Sequence, residues 1–302
     1  MKRILILGAA LLAVGATAGT AGAGKVVTPV PFPAATAGPV FIAAQTVTTD
    51  GAMTNYFAPG STVVFRAYAV VTKSKTLVDP KNVRYFYVSV PNAGTVKLKY
   101  NPKAPGATQS MPWVGTWTIP SSYAAGNVPI DIRIKLFSHE TGQFVQMPVL
   151  PAMLTVSSTP PTTFEPAPTG NTGLSNTSKI DLSLYVDTVN GTRPAAAAPR
   201  QVGCSQTNVY KRGEQVVFRS WGMNLNDGTL LTTDNVKTAV VQIPGVTPDL
   251  TLNYGAHGAV QFWSTPWNLP TDFPLGTTVA HVVYTTIDGK TGSFDYALNI
   301  IP

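Results

Sequence analysis

The chain has one cysteine, three histidines and few charges, and each shortage excludes something. Cys204 alone permits no intrachain disulfide, so apolar burial has to hold the fold. Cys204 itself reads either as a small buried apolar side chain or as an exposed thiol able to bridge two molecules. His139, His257 and His281 have no partner at metal-ligand spacing, and HExxH, CxxC and G-x-S-x-G patterns are missing. Catalysis needs converging ionisable groups, and Asp, Glu, Lys and Arg make up only 12% of the chain. The expectation is no enzyme, no metal and no cofactor. NLNDG, residues 224–228, shares a little with a calcium loop but lacks the later ligands and the bidentate Glu, so it reads as a turn. Past the N-terminus, no apolar run approaches the roughly 18 residues of a membrane-spanning helix.

The N-terminus reads as an export signal. Lys2 and Arg3 precede the apolar run ILILGAALLAV, and Ala21-Gly22-Ala23 fits a small-x-small cleavage site. Residues 1–23 are therefore expected to be removed, leaving no transmembrane segment in the mature chain. The destination is the periplasm or the extracellular space. Pro-rich residues 24–39 are expected to be extended.

What the chain has in abundance is strand-forming sequence, written twice. TNYFAPGSTVVFRAY, Thr54 to Tyr68, matches TNVYKRGEQVVFRSW, Thr207 to Trp221, at an offset of 153. The match continues through Asn82/Asn235 and Pro91/Pro244, shifts to 154 at Tyr100/Tyr254, and settles at 150 for Trp113/Trp263, Trp117/Trp267, Gly126/Gly276 and Gly142/Gly292. Segments such as VFIAAQTV, VVFRAYAV and VPIDIRIKLF are β-rich, recur at strand spacing, and show no helical period. The prediction is an all-β chain of two tandem β-sandwiches, 40–157 and 180–302, produced by internal duplication. Residues 158–179, rich in Pro, Ser and Thr, read as a semi-extended linker.

From Trp117 to Phe144, and again from Trp267 to Phe294, the pattern runs Trp-x-x-Pro-x-x-aromatic-x-x-Gly, an alternating strand, a Thr-Gly turn and a closing strand that begins with Phe. This resembles the second half of bacterial immunoglobulin-like or fibronectin-III-like domains, and tandem domains behind a signal peptide resemble those of secreted bacterial proteins. The resemblance implies a sandwich with an aromatic corner. It implies no activity, because sandwiches host many.

Three groups of residues are candidates for binding. Trp113/Trp117 and Trp263/Trp267 each share a strand face and could present two rings to a sugar chain; the same spacing suits two core anchors. Lys73, Lys75, Lys81, Arg84, Lys97, Lys99 and Lys103 fall in the first copy. Residues 24–157 carry eleven Lys/Arg against four Asp/Glu, whereas 180–302 carry seven against nine. A basic half of an exported protein would attract anionic envelope polymers. Arg66 and Arg219 are equivalent and lie inside apolar strands, where an arginine contacts a ligand or pairs with a carboxylate or carbonyl. Asn55/Asn208 and Asn82/Asn235 are expected to serve turns. The overall expectation is a non-enzymatic interaction protein of the envelope or extracellular space. Its partner is expected to be a protein or polysaccharide, and nucleic acid is not expected.

Overall fold

A computed structural model describes residues 38–145, 153–161, 166–191, 203–258 and 260–302. The expected signal segment 1–23 and all but the last two residues of 24–39 lie outside the described residues. The described chain is all-β, with one 3-10 turn at Pro80–Asn82.

The first half builds two main sheets. One orders β1 (Val40–Val47), β2 (Thr62–Val71), β6 (Trp113–Thr118) and β5 (Lys99–Tyr100) as β1-β2-β6-β5. The other orders β3 (Val83–Val90), β4 (Gly94–Lys97), β7 (Asp131–Leu136) and β8 (Thr141–Val145) as β8-β7-β3-β4. The short segments Tyr56–Phe57, Thr155–Val156 and Gly126–Asn127 form a third, small sheet.

The second half repeats the first order. After β9 (Gly173–Leu174) come β10 (Leu182–Asn190), β11 (Gln215–Asn224), β12 (Val236–Gln242), β13 (Leu250–Thr251), β14 (Asn253–His257), β15 (Val260–Asn268), β16 (Gly276–Thr286) and β17 (Thr291–Ile301). They pair as β10-β11-β15-β14 and β9-β17-β16-β12-β13. In this half the strand equivalent to Gly126–Leu136 is continuous. Pro129 stands where Val279 pairs with Ala297, and proline has no N–H to give to a ladder.

Alternation fails informatively in β1 and β10. Both are edge strands, yet every residue of each is buried. One face packs on its own sandwich and the other on the opposite half. Phe41 lies 5.3 Å from Trp221, Tyr68 lies 6.4 Å from Phe294, and Phe144 lies 5.5 Å from Tyr185 between ring centroids, so the two cores merge. The seam is reciprocal. Gln206 N donates to Asn55 Oδ1, and Met53 N donates to Asn208 Oδ1, each at 2.8 Å. Asn55 and Asn208 were expected in local turns. They join the halves instead, because a side-chain amide can satisfy a backbone N–H buried far away in sequence.

The described part of 158–179 is likewise more than a spacer. Gly173–Leu174 adds a strand to β17, while Thr108 Oγ1 donates to Thr172 O and Ser110 Oγ to Leu174 O. NLNDG is a turn closed by Gly228 N to Asn224 O and Asn226 N to Asn224 Oδ1. Cys204 is half-buried in a turn at φ 59°, not in the core.

Candidate functional site

The four tryptophans of the two repeated pairs pack inwards. Trp113, Trp117, Trp263 and Trp267 are 5%, 7%, 5% and 5% exposed, so none offers a ring face to a sugar. Trp117 meets Tyr123 edge-on at 5.1 Å, and Trp267 meets Phe273 edge-on at the same 5.1 Å. Trp263 Nε1 donates to Leu231 O at 2.8 Å. Burying such rings anchors each sandwich, by about 1.5–3 kcal/mol per large side chain.

The basic residues of the first half do not form one patch. Lys73 and Lys75 lie in the turn after β2, and Lys75 is spent on Asp181 of the other half at 3.3 Å. Lys81 and Arg84 lie at the entry to β3, and Lys103 in a loop after β5. Lys97 and Lys99 are two apart but belong to different sheets.

Pairing register gathers a different set. Lys97, Tyr87 and Arg133 lie in one row across β4, β3 and β7, and Tyr85 and Lys135 lie in the next row. In-register partners point to the same side of a sheet, and so do residues two apart on a strand. The inward residues of β3 are Phe86 and Val88, both buried, so this is the outward face. Tyr85 is 37% exposed and its ring lies 5.4 Å from that of Tyr87. The face thus carries two adjacent aromatic rings among three cations, with neighbouring strands about 5 Å apart. One carboxylate shares it: Asp131 accepts from Arg133 Nε and Gln143 Nε2, each at 2.6 Å.

Of these five residues only Lys97 was picked out from sequence. Tyr85, Tyr87, Arg133 and Lys135 were missed because the two strands are separated by about forty residues of chain. Alternation within VRYFYVSV and DIRIKL was the available signal, since it assigns Tyr85, Tyr87, Arg133 and Lys135 to outward positions.

The same positions in the second half are Thr251, Val240 and Val283 in one row, with Thr238 and Thr285 in the next. None is charged or aromatic.

Inside the molecule the equivalent arginines also differ. Arg219 donates from Nε and Nη2 to the two Asp187 oxygens at 2.7 and 2.6 Å, a bidentate buried pair. Burial works against that charge, but Asp187 holds the Arg219 guanidinium above its ordinary value. Arg66 instead donates twice to the neutral Gln45 Oε1, at 2.9 and 2.7 Å.

Among the described residues no helix is long and apolar enough to cross a membrane, and no cluster of three or more His, Cys, Asp or Glu could hold a metal. No protein-family model and no curated protein matches the sequence. Among solved structures, the chain is similar to the SGBP-B protein of a Bacteroides ovatus mixed-linkage glucan utilization locus, solved with a mixed-linkage heptasaccharide. The likeness is at 11% identity and TM-score 0.18, covering 82% of this chain and 43% of that one. It is also similar to a Corynebacterium diphtheriae protein described as membrane anchored, at 10% identity and TM-score 0.22, covering 86% of this chain and 59% of that one. The chain therefore spans less than two thirds of either, and at these TM-scores neither likeness bears on its role.

Proposed function

We propose that this is an exported, non-enzymatic binding protein. In this reading it consists of two immunoglobulin-like halves derived by duplication, and the first half holds an anionic polysaccharide on the outer face of β3, β4 and β7. The observation that carries it is the cluster of Tyr85, Tyr87, Lys97, Arg133 and Lys135 on one solvent-facing surface, with none of these residue types at the matching positions of the other half. Flat rings suit the C–H faces of sugars, and Lys and Arg suit their carboxylates. Rows about 5 Å apart let successive sugar units of a chain meet successive cations. A recessed catalytic pair is not needed for this task.

The test is affinity electrophoresis of the full chain through gels containing polygalacturonate. Retardation is expected at low salt and is expected to vanish near about 1 M salt, where the screening length falls to about 3 Å. Lys97→Thr, Arg133→Val and Lys135→Thr together install the second half's own residues and should abolish retardation. Equal retardation by neutral dextran, or full retardation of the triple variant, would overturn the proposal.

A further inference from the structure

Arg66 is 3% exposed and has no carboxylate within ion-pair distance among the described residues. Buried charges are ordinarily paired, because removing a guanidinium from water costs several kcal/mol per ion that only a close counter-charge offsets. The row containing Arg66 runs Gln45, Arg66, Val114, Lys99 across β1, β2, β6 and β5. The matching row in the second half runs Asp187, Arg219, Ser264, Asn253. One row sums to two positive charges and the other to none, although both arginines occupy the same place.

Gln45 cannot turn a second acceptor to Arg66, because its Nε2 donates to Val186 O at 2.8 Å and fixes Oε1 towards the guanidinium. Arg66 has five N–H groups. Two go to Gln45 and a third reaches Gly106 O only at 3.4 Å, so two are left over. Arg66 also lines a cavity of about 540 Å³ between the halves, closed on one side by residues 167–172. That volume falls within the range of small-molecule sites. Asn171 lines the same cavity, and its Oδ1 is buried with no hydrogen-bond partner. Asp50, on the exposed rim, is the carboxylate among its described lining residues.

We infer that this cavity binds a small organic carboxylate, whose oxygens accept from the Nη1 and Nη2 N–H groups of Arg66 that Gln45 and Gly106 leave over and supply the counter-charge that Asp187 supplies to Arg219. The ligand also carries a hydroxyl or N–H that donates to Asn171 Oδ1, as a sugar acid does. Burial pushes the Arg66 guanidinium down to about 10, which still leaves it charged at neutral pH. Lys99, two strands away and about 10 Å along the row, adds attraction without contact.

The test is thermal unfolding of the full chain with glucuronate, with glucose, and with sodium chloride at matched ionic strength. Glucuronate should raise the Tm by about 5 °C at a hundredfold excess over its Kd; glucose and salt should not. Gln45→Glu carries its own carboxylate to Arg66 and should lose the glucuronate shift. Asn171→Ala, at a half-exposed position, should weaken glucuronate about tenfold, the equivalent of one hydrogen bond. The triple variant of the outer sheet face should keep the full shift, which separates this cavity from the polysaccharide surface. No shift in the unaltered chain, an undiminished shift in both Gln45→Glu and Asn171→Ala, or loss of the shift in the triple variant would overturn the inference.

Discussion

The two halves share strand order, tryptophan geometry and a pair of buried arginines, but they differ in what partners each arginine and in the charge on the outer sheet face. On the outer sheet face, Tyr85, Tyr87, Lys97, Arg133 and Lys135 stand opposite Thr238, Val240, Thr251, Val283 and Thr285. In the buried row, Gln45 stands where the other half has Asp187. The lesson is one of division. The tryptophans that anchor each sandwich are the same in both halves, and the residues that could meet a ligand are concentrated in one. The second half satisfies its own arginine and has neither a cation nor an aromatic ring at the positions matching that face.

The sharpest way to break this comparison is to remove Asp187. Asp187→Ala leaves Arg219 buried beside Tyr185 and Gln206 without a counter-charge, and should cost about 3–5 kcal/mol in urea unfolding. Gln45→Ala removes a neutral acceptor from Arg66 and a donor from Val186 O, and should cost about 1.5–3 kcal/mol. Equal losses would mean that the two arginines are held alike.

A smaller effect is expected where the halves share a constraint. A Cβ on Gly142 would stand 2.3 Å from Val40 O, and one on Gly292 would stand 2.6 Å from Leu182 Cβ. Both glycines let the closing strand approach the first strand of its own half. Gly142→Ala should destabilise by about 1–3 kcal/mol, and by more than Gly292→Ala, because a backbone carbonyl yields less readily than a side chain. Denaturation midpoints of the two variants decide the order.

Transplanting the face sharpens the comparison in the other direction. Thr238→Tyr, Val240→Tyr, Thr251→Lys, Val283→Arg and Thr285→Lys sit at outward positions and should leave stability within about 0.5 kcal/mol. They should also add a second salt-sensitive site, seen as increased retardation by polygalacturonate.

The smallest effect lies at the seam. Burial alone would raise the Asp181 carboxyl, but hydrogen bonds and charge from Lys75 and Lys179 hold it below its usual range. A depressed carboxyl stabilises the folded state above the unfolded value near about 4 and loses that contribution as the pH falls through the folded value. With Lys75 one-third exposed, the pair is worth less than about 1 kcal/mol after solvent screening. Lys75→Met should therefore lower stability slightly at neutral pH and by less in strong acid, where only its hydrogen bond to Asn226 remains, as followed by urea unfolding across pH.

Much of the fold was legible because strand alternation and β-propensity act locally. VFIAAQTV is β1 to the residue, and the spacing of Trp117 and Tyr123 allowed the inward packing that burial decides. The merged core was not legible. Burial on both faces of β1 is set by the partner surface, and nothing in an eight-residue apolar run says what covers its second side. The outer face was half hidden for a similar reason. Lys97, Tyr87 and Arg133 meet only through cross-strand register, whereas counting lysines along the chain grouped Lys97 with Lys99, which belongs to another sheet. The contrast between Gln45 and Asp187 was visible in the matched segments, yet its meaning depended on knowing that both arginines are buried.

The most direct test of the central claim is amide hydrogen exchange on the full chain with and without polygalacturonate at low salt. Slowed exchange should appear in residues 83–97 and 131–136, with residues 236–251 and 276–286 unchanged. Protection of the second half's sheet to the same extent, or none on the first, would contradict the assignment of binding to one half.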